Sequence, residues 1–260
     1  MQFSTPVNIP AAPWQITYND RLLMLGSCFT DNMARKMQQY FLPVTANPFG
    51  TLYNPVSIAH HLTADTLDGI SVVILTFGTA WVYVDKETGR VVDNCQKRPA
   101  ADFVRRRLTT NEIVQLWQPF FEQYPHLRFL FTVSPIRHIK DGLHENQLSK
   151  AILLQAVEQL VQTDPSRIAY FPAYEIVLDE LRDYRFYAAD MLHPSETAVD
   201  YIWERFCDTY LTEPSTRQTM RERHQLWLDL NHRPLNPDSE EYKRFRQQAE
   251  KRLKELHLQL

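Results

Sequence analysis

The sequence predicts an α/β protein of three layers, with a central parallel sheet of about five strands covered by helices on both faces. Two observations predict it. Short apolar runs recur without alternation at 21–25 (RLLML), 71–77 (SVVILTF), 128–133 (RFLFTV) and 167–171 (RIAYF), as strands buried on both faces require. Helix-period stretches stand between them, and alternation of strand and helix implies parallel strands joined by crossovers. A chain of 260 residues, 44% of them hydrophobic, is long enough to bury one substantial core.

Taken in order, the first strand runs through Gly26 into Ser27, after which Phe29, Met33, Met37, Tyr40 and Phe41 recur at helical spacing. LPVTAN at 42–47 is a weaker second strand. A helix carrying His60 and His61 precedes the third strand at 71–77. WVYVDKETGRVVD then breaks the rhythm, because two β-rich arms around Glu87 to Arg90 read as a hairpin excursion. NEIVQLWQPFFEQY and ENQLSKAILLQAVEQLV read as helices after the third and fourth strands, and the last helix of the unit presents Val199, Ile202, Trp203 and Phe206 on one face. From Glu213 the composition turns charged and helical, interrupted by Pro234 and Pro237. We therefore expect a domain over 1–212 and a helical C-terminal extension over 213–260. Its stripe of Tyr242, Phe245, Ala249, Leu253, Leu256 and Leu260 would dock on the same domain or make a homodimer contact.

A net charge of −3 supplies no basic field for a phosphate backbone, so nucleic acid is not the expected partner. Cys28, Cys95 and Cys207 are an odd, scattered set with neither a disulfide framework nor metal-ligand spacing. His60 and His61, adjacent on a helix, should face different ways and hold no metal together. The opening residues lack a signal peptide's charged start and apolar run, and no stretch is long enough to span a bilayer. The expectation is a cytoplasmic protein, needing no cofactor or membrane, that acts on a small molecule.

In an open parallel sheet, ligands collect beyond the carboxyl ends of the strands. LGSCFT places Ser27 at the first turn of a helix, where free N–H groups and the helix dipole favour a developing negative charge. The same serine could be a simple N-cap. Before the last helix, Asp190 and His193 stand close enough in AADMLHPSETAVDYIWERF for the carboxylate to take the imidazole Nδ1–H, leaving Nε2 to accept a proton from a hydroxyl. Ser134, Arg137 and His138 follow the fourth strand and could hold a substrate carboxylate or hydroxyl. Phe49, Tyr53 and Trp81 are candidates to wall an acyl or sugar pocket. Cys28 should point about 100 degrees away from Ser27 around the helix and serve as a packing residue.

A serine after the first strand and a D-x-x-H before the last helix resemble the SGNH (GDSL-like) hydrolases. GSCF near the start, NPFGTLYNP, TFGTAW, TVSPIRHIKDGLHENQLSKA and YFPAYEIVLDELRDYRFYAADMLHPS resemble the blocks of the GSCFA family assigned to that superfamily. The resemblance implies a flavodoxin-like SGNH-hydrolase fold with Ser27 as nucleophile, His193 as general base and Asp190 as its orienter. It implies that the Gly50 N–H joins that of Ser27 in an oxyanion hole. Where a typical relative reads G-x-N-D, this chain has Gly78, Thr79, Ala80 and Trp81, with no asparagine to donate. Loss of one such donor costs about a hundredfold to a thousandfold in rate, so either Asn47, Asn54 or Thr79 substitutes or esterase activity is weak. The implied activity is hydrolysis of a carboxylic ester, including an acyl group on a carbohydrate. A non-catalytic glycan- or acyl-binding protein and an acyltransferase using the same residues are the alternatives.

Overall fold

The computed structural model describes residues 4–93 and 98–258. Its elements are β1 (Leu22–Gly26), α1 (Cys28–Gln39), β2 (Val44–Ala46), α2 (Pro55–His60), α3 (Ala64–Leu67), β3 (Val72–Phe77), β4 (Trp81–Asp85), β5 (Val91–Val92) and β6 (Phe103–Arg107). There follow α4 (Thr110–Gln123), β7 (Arg128–Val133), α5 (Leu143–Thr163), β8 (Ile168–Tyr170), α6 (Ala173–Glu175), α7 (Glu196–Tyr210), α8 (Pro214–Asn231) and α9 (Glu240–Glu255). Cys95 and Leu260 lie outside the described residues.

The central sheet is parallel throughout, in the order β2-β1-β3-β7-β8. Its five strands are the five runs read from the sequence, and both of its faces are covered. Leu23, Leu25, Val73, Leu75, Phe129 and Phe131 face one layer with Ile113 and Trp117 of α4 and Leu153 and Val157 of α5. Leu22, Met24, Ile74 and Leu130 face the other with Phe29 and Met33 of α1 and Ile202 and Phe206 of α7. Each such side chain contributes about 1.5–3 kcal/mol by leaving water. Because successive residues alternate between two apolar layers, the strands read as unbroken hydrophobic runs.

The excursion after β3 is larger than the expected hairpin: β4 is flanked by β5 and β6 in an antiparallel sheet of three strands. The sequence reading missed β6 because FVRRR ends in three arginines. In the structure Arg105 and Arg107 lie over the Trp81 ring, 4.5 and 5.3 Å from its centre, so the charged strand is held partly by cation–π contacts.

The C-terminal helices pack on the same chain. Leu226 and Leu230 of α8 and Ala249 of α9 cluster with Phe41, and the Arg223 guanidinium donates to the Phe41 carbonyl at 2.9 Å. The apolar stripe expected on α9 is only partly covered: Ala249 is buried, while Phe245 and Leu256 are exposed. No helix among the described residues is long and apolar enough to cross a membrane.

Candidate active site

The carboxyl ends of β1, β3 and β7 lie side by side, with Gly26 in register with Thr76 and Phe77 with Val133. Gly26 turns the chain where no side chain fits, since a Cβ there would meet the Thr76 carbonyl oxygen at 2.5 Å. Ser27 follows as the N-cap of α1, its Oγ accepting the Phe29 N–H at 3.3 Å. The first N–H groups of the helix, those of Ser27 and Cys28, have no carbonyl partner within it. Ser27 Oγ donates to Ser134 Oγ at 3.0 Å, and both residues are fully buried. The N-cap reading therefore describes Ser27.

Asp190 and His193 occupy the loop before α7. His193 Nδ1 and Asp190 Oδ2 are 2.6 Å apart, and Asp190 Oδ1 accepts the N–H groups of Leu192 and His193 at 2.9 and 3.0 Å. The His193 N–H, the Leu192 N–H and then the His193 ring together pull the Asp190 carboxyl down to about 2. The loop turns through Met191 at a left-handed φ of 60° and is tied to the exit of β7: the Arg137 N–H donates to the Leu192 carbonyl and its guanidinium to the Met191 carbonyl, both at 3.2 Å. Among the described residues, Ser27 Oγ donates only to Ser134, and the His193 ring bonds only to Asp190.

Arg137 also lines a cavity of about 230 Å³ beside this loop, with Tyr174, Arg182, Tyr184 and Tyr187 on its other walls. Its guanidinium sits 5.6 Å from the centres of the Tyr184 and Tyr187 rings. His138, the other residue of this loop expected to contact substrate, is half-buried. Its buried Nε2 has no partner among the described residues and lies 3.4 Å from the place a Cβ on Gly78 would occupy. Burial, reinforced by the Lys150 charge, pushes the His138 imidazole down to about 3, so it is neutral at physiological pH.

The groups expected to complete an oxyanion hole are engaged elsewhere. The Gly50 N–H donates to the Asn47 carbonyl at 2.9 Å. Asn47 Oδ1 takes the Gly26 N–H at 2.9 Å and its Nδ2 donates to Asp31 at 2.6 Å, which makes it a clamp between β1 and α1. Asn54 caps α2, accepting from Val56 and Ser57 and donating to the Ser57 hydroxyl. Thr79 Oγ1 pairs with Ser149 Oγ at 3.1 Å and accepts the Trp81 N–H. Asn54 is satisfied within three residues, as a short polar side chain at a helix start often is, whereas Asn47 and Thr79 also hold partners brought in from elsewhere in the chain, Gly26 and Asp31 for the first and Ser149 for the second.

Three residues that the sequence reading passed over hold these loops from below. Asn146, Ser149 and Lys150 share one face of α5 with Leu153 and Val157, and all three are buried. Asn146 Oδ1 accepts the His138 N–H at 2.9 Å, and Ser149 Oγ accepts the Ala80 N–H at 2.8 Å. The Lys150 ammonium donates to the Gly78 and Ser134 carbonyls at 2.6 and 2.7 Å, and burial lowers its pKa to about 7. The available signal was three polar residues spaced i, i+3, i+4 on the apolar side of a long helix.

Cys28 is half-buried and packs against the core layer of α1 and α7, as expected of a packing residue, with its sulfur 3.9 Å from the Tyr53 hydroxyl. Tyr53 meets the His138 ring edge-on, but Phe49 stacks on His61 and Trp81 lies under the β6 arginines, so of these three aromatics only Tyr53 is placed beside His138. His60 and His61 do not diverge: at the end of α2 both rings reach the carboxylate of Asp93, at 2.8 and 3.1 Å.

The parallel order β2-β1-β3-β7-β8 and the two loops at its carboxyl edge define a three-layer fold of the SGNH, or GDSL-like, hydrolase type. The structure is similar to a variant of an acetyl-xylooligosaccharide esterase from Geobacillus stearmophilus, with a TM-score of 0.50 at 11% identity over 75% of this chain and 95% of that one. A member of the lipolytic protein G-D-S-L family from Veillonella parvula gives a TM-score of 0.49 at 10% identity, over 74% of this chain and 98% of the other. No curated protein matches the chain. The signature of the GSCFA family matches residues 21–68 and 60–206, and that of the GSCFA domain protein, C-terminal domain, matches 224–260. The chain belongs to the GSCFA family.

Proposed function

We propose that this protein is a serine hydrolase of carboxylic esters, with acylated carbohydrates as its substrate class. The observation that carries the reading is the tie between the two loops. Ser134 holds the Ser27 hydroxyl, and three residues further on Arg137 holds the loop that presents the Asp190–His193 pair. In the reaction, the Ser27 hydroxyl redirects its hydrogen from Ser134 to His193 Nε2, which takes the proton as Oγ, still beside Ser134, attacks the ester carbonyl. Asp190, ionised across the working range, keeps Nδ1 protonated and stabilises the imidazolium. The helix start at Ser27 favours the negative charge on the tetrahedral oxygen. His193 then protonates the leaving alcohol, and water releases the acyl group by the reverse path. We assign the alcohol portion to the cavity walled by Arg137 and the tyrosines, because tyrosine rings suit a sugar face.

A fluorophosphonate probe tests the reading, because it reacts only with an activated serine: Ser27 should be labelled in the native protein and not in His193→Ala. Acetylated sugars of the kind named for the Geobacillus neighbour are a suitable first substrate panel. The engaged Gly50 N–H and the absence of a donor side chain at Ala80 favour a second reading, a binding protein without turnover. Acyl transfer to a second hydroxyl would use the same residues. Short-chain p-nitrophenyl esters separate turnover from binding, and activity that survived both Ser27→Ala and His193→Ala would exclude the proposed residues.

A further inference from the structure

An intermediate built on Ser27 needs a donor for its oxyanion, and the side chains at Asn47, Asn54 and Thr79 already have other partners. One hydroxyl is in contact with the nucleophile itself. Ser134 Oγ lies 3.0 Å from Ser27 Oγ and accepts two hydrogen bonds, from Ser27 and from the Ile136 N–H at 3.3 Å. Its own hydrogen has no acceptor among the described residues. We propose that the Ser134 hydroxyl is the side-chain donor of the oxyanion hole and that Lys150 is the positioning residue that holds it there.

This inference rests on the esterase reading. When Ser27 Oγ bonds to the carbonyl carbon, its proton passes to His193 and the carbonyl π pair moves onto oxygen. That oxygen is two bonds from Ser27 Oγ, within reach of a hydroxyl already in contact with Oγ. Departure of the Ser27 proton removes the hydrogen bond that Ser134 accepted, which frees the hydroxyl to turn its hydrogen to the oxyanion. Ser134 transfers no proton. Collapse restores the carbonyl and expels the alcohol oxygen, which takes its proton from His193.

The backbone beneath is held for this task. The Lys150 ammonium bonds the Ser134 carbonyl and the Gly78 carbonyl together, joining the ends of β7 and β3. Lys150 is fully buried and, among the described residues, has no carboxylate partner, so its orientation is set by these two carbonyls. Through Ser134 it determines where the hydroxyl stands relative to Ser27.

The test uses the full chain with p-nitrophenyl acetate and with an aryl trifluoromethyl ketone, which forms an oxyanion adduct on an activated serine. Ser134→Ala should lower kcat by about a hundredfold to a thousandfold, leave KM within about threefold, and weaken ketone binding by a factor like that on kcat. Lys150→Met, which keeps the side-chain length, should move kcat and ketone affinity in the same direction without changing KM. Should Ser134→Ala fail to fold by circular dichroism, Ser134→Cys keeps the volume with a poor donor and should show the same split. Wild type that hydrolyses the ester beside an equally active Ser134→Ala or Ser134→Cys overturns this inference alone. Wild type inert to ester, ketone and fluorophosphonate overturns the esterase reading and this inference with it.

Discussion

The two halves of the site are built in opposite ways. Ser27, Ser134 and Lys150 are buried at strand ends and on the inner face of a helix, where packing from both layers fixes them. Asp190 and His193 are exposed on a loop shaped by its own hydrogen bonds and by one arginine. The contrast teaches that the position of Ser27, the proposed nucleophile, is part of the core, whereas that of His193, the proposed base, is a local polar construction. Changes in the first half should alter folding and chemistry together; changes in the second should alter chemistry alone.

The largest effect that sharpens this contrast is on catalysis. His193→Ala and Ser27→Ala should each lower ester hydrolysis by about a thousandfold or more, read as initial rates. His193→Ala should leave urea-unfolding stability within about 0.5 kcal/mol, because the side chain is exposed. Ser27→Ala should lose about 1 kcal/mol with its cap. Next comes Lys150→Ala, which strands the Gly78 and Ser134 carbonyls in the interior. Each unpaired group costs about 1–3 kcal/mol, and the missing side chain leaves a cavity besides. Lys150→Ala with wild-type stability would break the contrast.

The third effect is a pH dependence. His138 is held near 3 in the fold against an ordinary 6.5, so the unfolded chain takes up a proton first as the medium is acidified. The stability gained from keeping the ring neutral is therefore whole above about pH 6.5 and drains away as pH falls toward 3. At pH 4.5 the loss should be about 2–3 kcal/mol. Urea titrations of wild type and His138→Phe at pH 7 and 4.5 measure it, since the phenylalanine variant lacks that part of the slope.

Arg137→Gln should come fourth. It loosens the loop carbonyl of Met191 while leaving the core untouched, so activity should fall about tenfold with little change in stability. The smallest effect belongs to Asn54→Ala, which removes a helix cap worth about 1 kcal/mol and should leave turnover unchanged. A large loss of turnover there would return Asn54 to the chemistry.

Legibility in the sequence followed the range of the forces involved. The β2 strand at the sheet edge is not buried and gave only a weak signal, whereas β1, β3, β7 and β8 and the helices between them could be read because burial leaves a local record, an apolar run or a period of 3.6. The β6 strand could not, because its outward arginines find their partners on Trp81, far away in the chain. The pairing of Asp190 with His193 was legible at a separation of three residues. The contact of Ser27 with Ser134, at a separation of 107, was not.

By itself the sequence determined the layers of this protein and the residue types at its carboxyl edge, since hydrophobic periodicity and short-range hydrogen bonding act within a few residues. Only the tertiary structure decided which polar groups are left to do chemistry. A donor is available only when no nearer acceptor has taken it: Asn54 and Gly50 are satisfied within three residues, but Asn47 lost that availability to Asp31 and Thr79 to Ser149, 16 and 70 positions away, which composition and spacing do not reveal. Lys150 shows the converse: a residue type expected at the surface crosses beneath two strands, because the carbonyls that accept its hydrogens come together only once the sheet has formed.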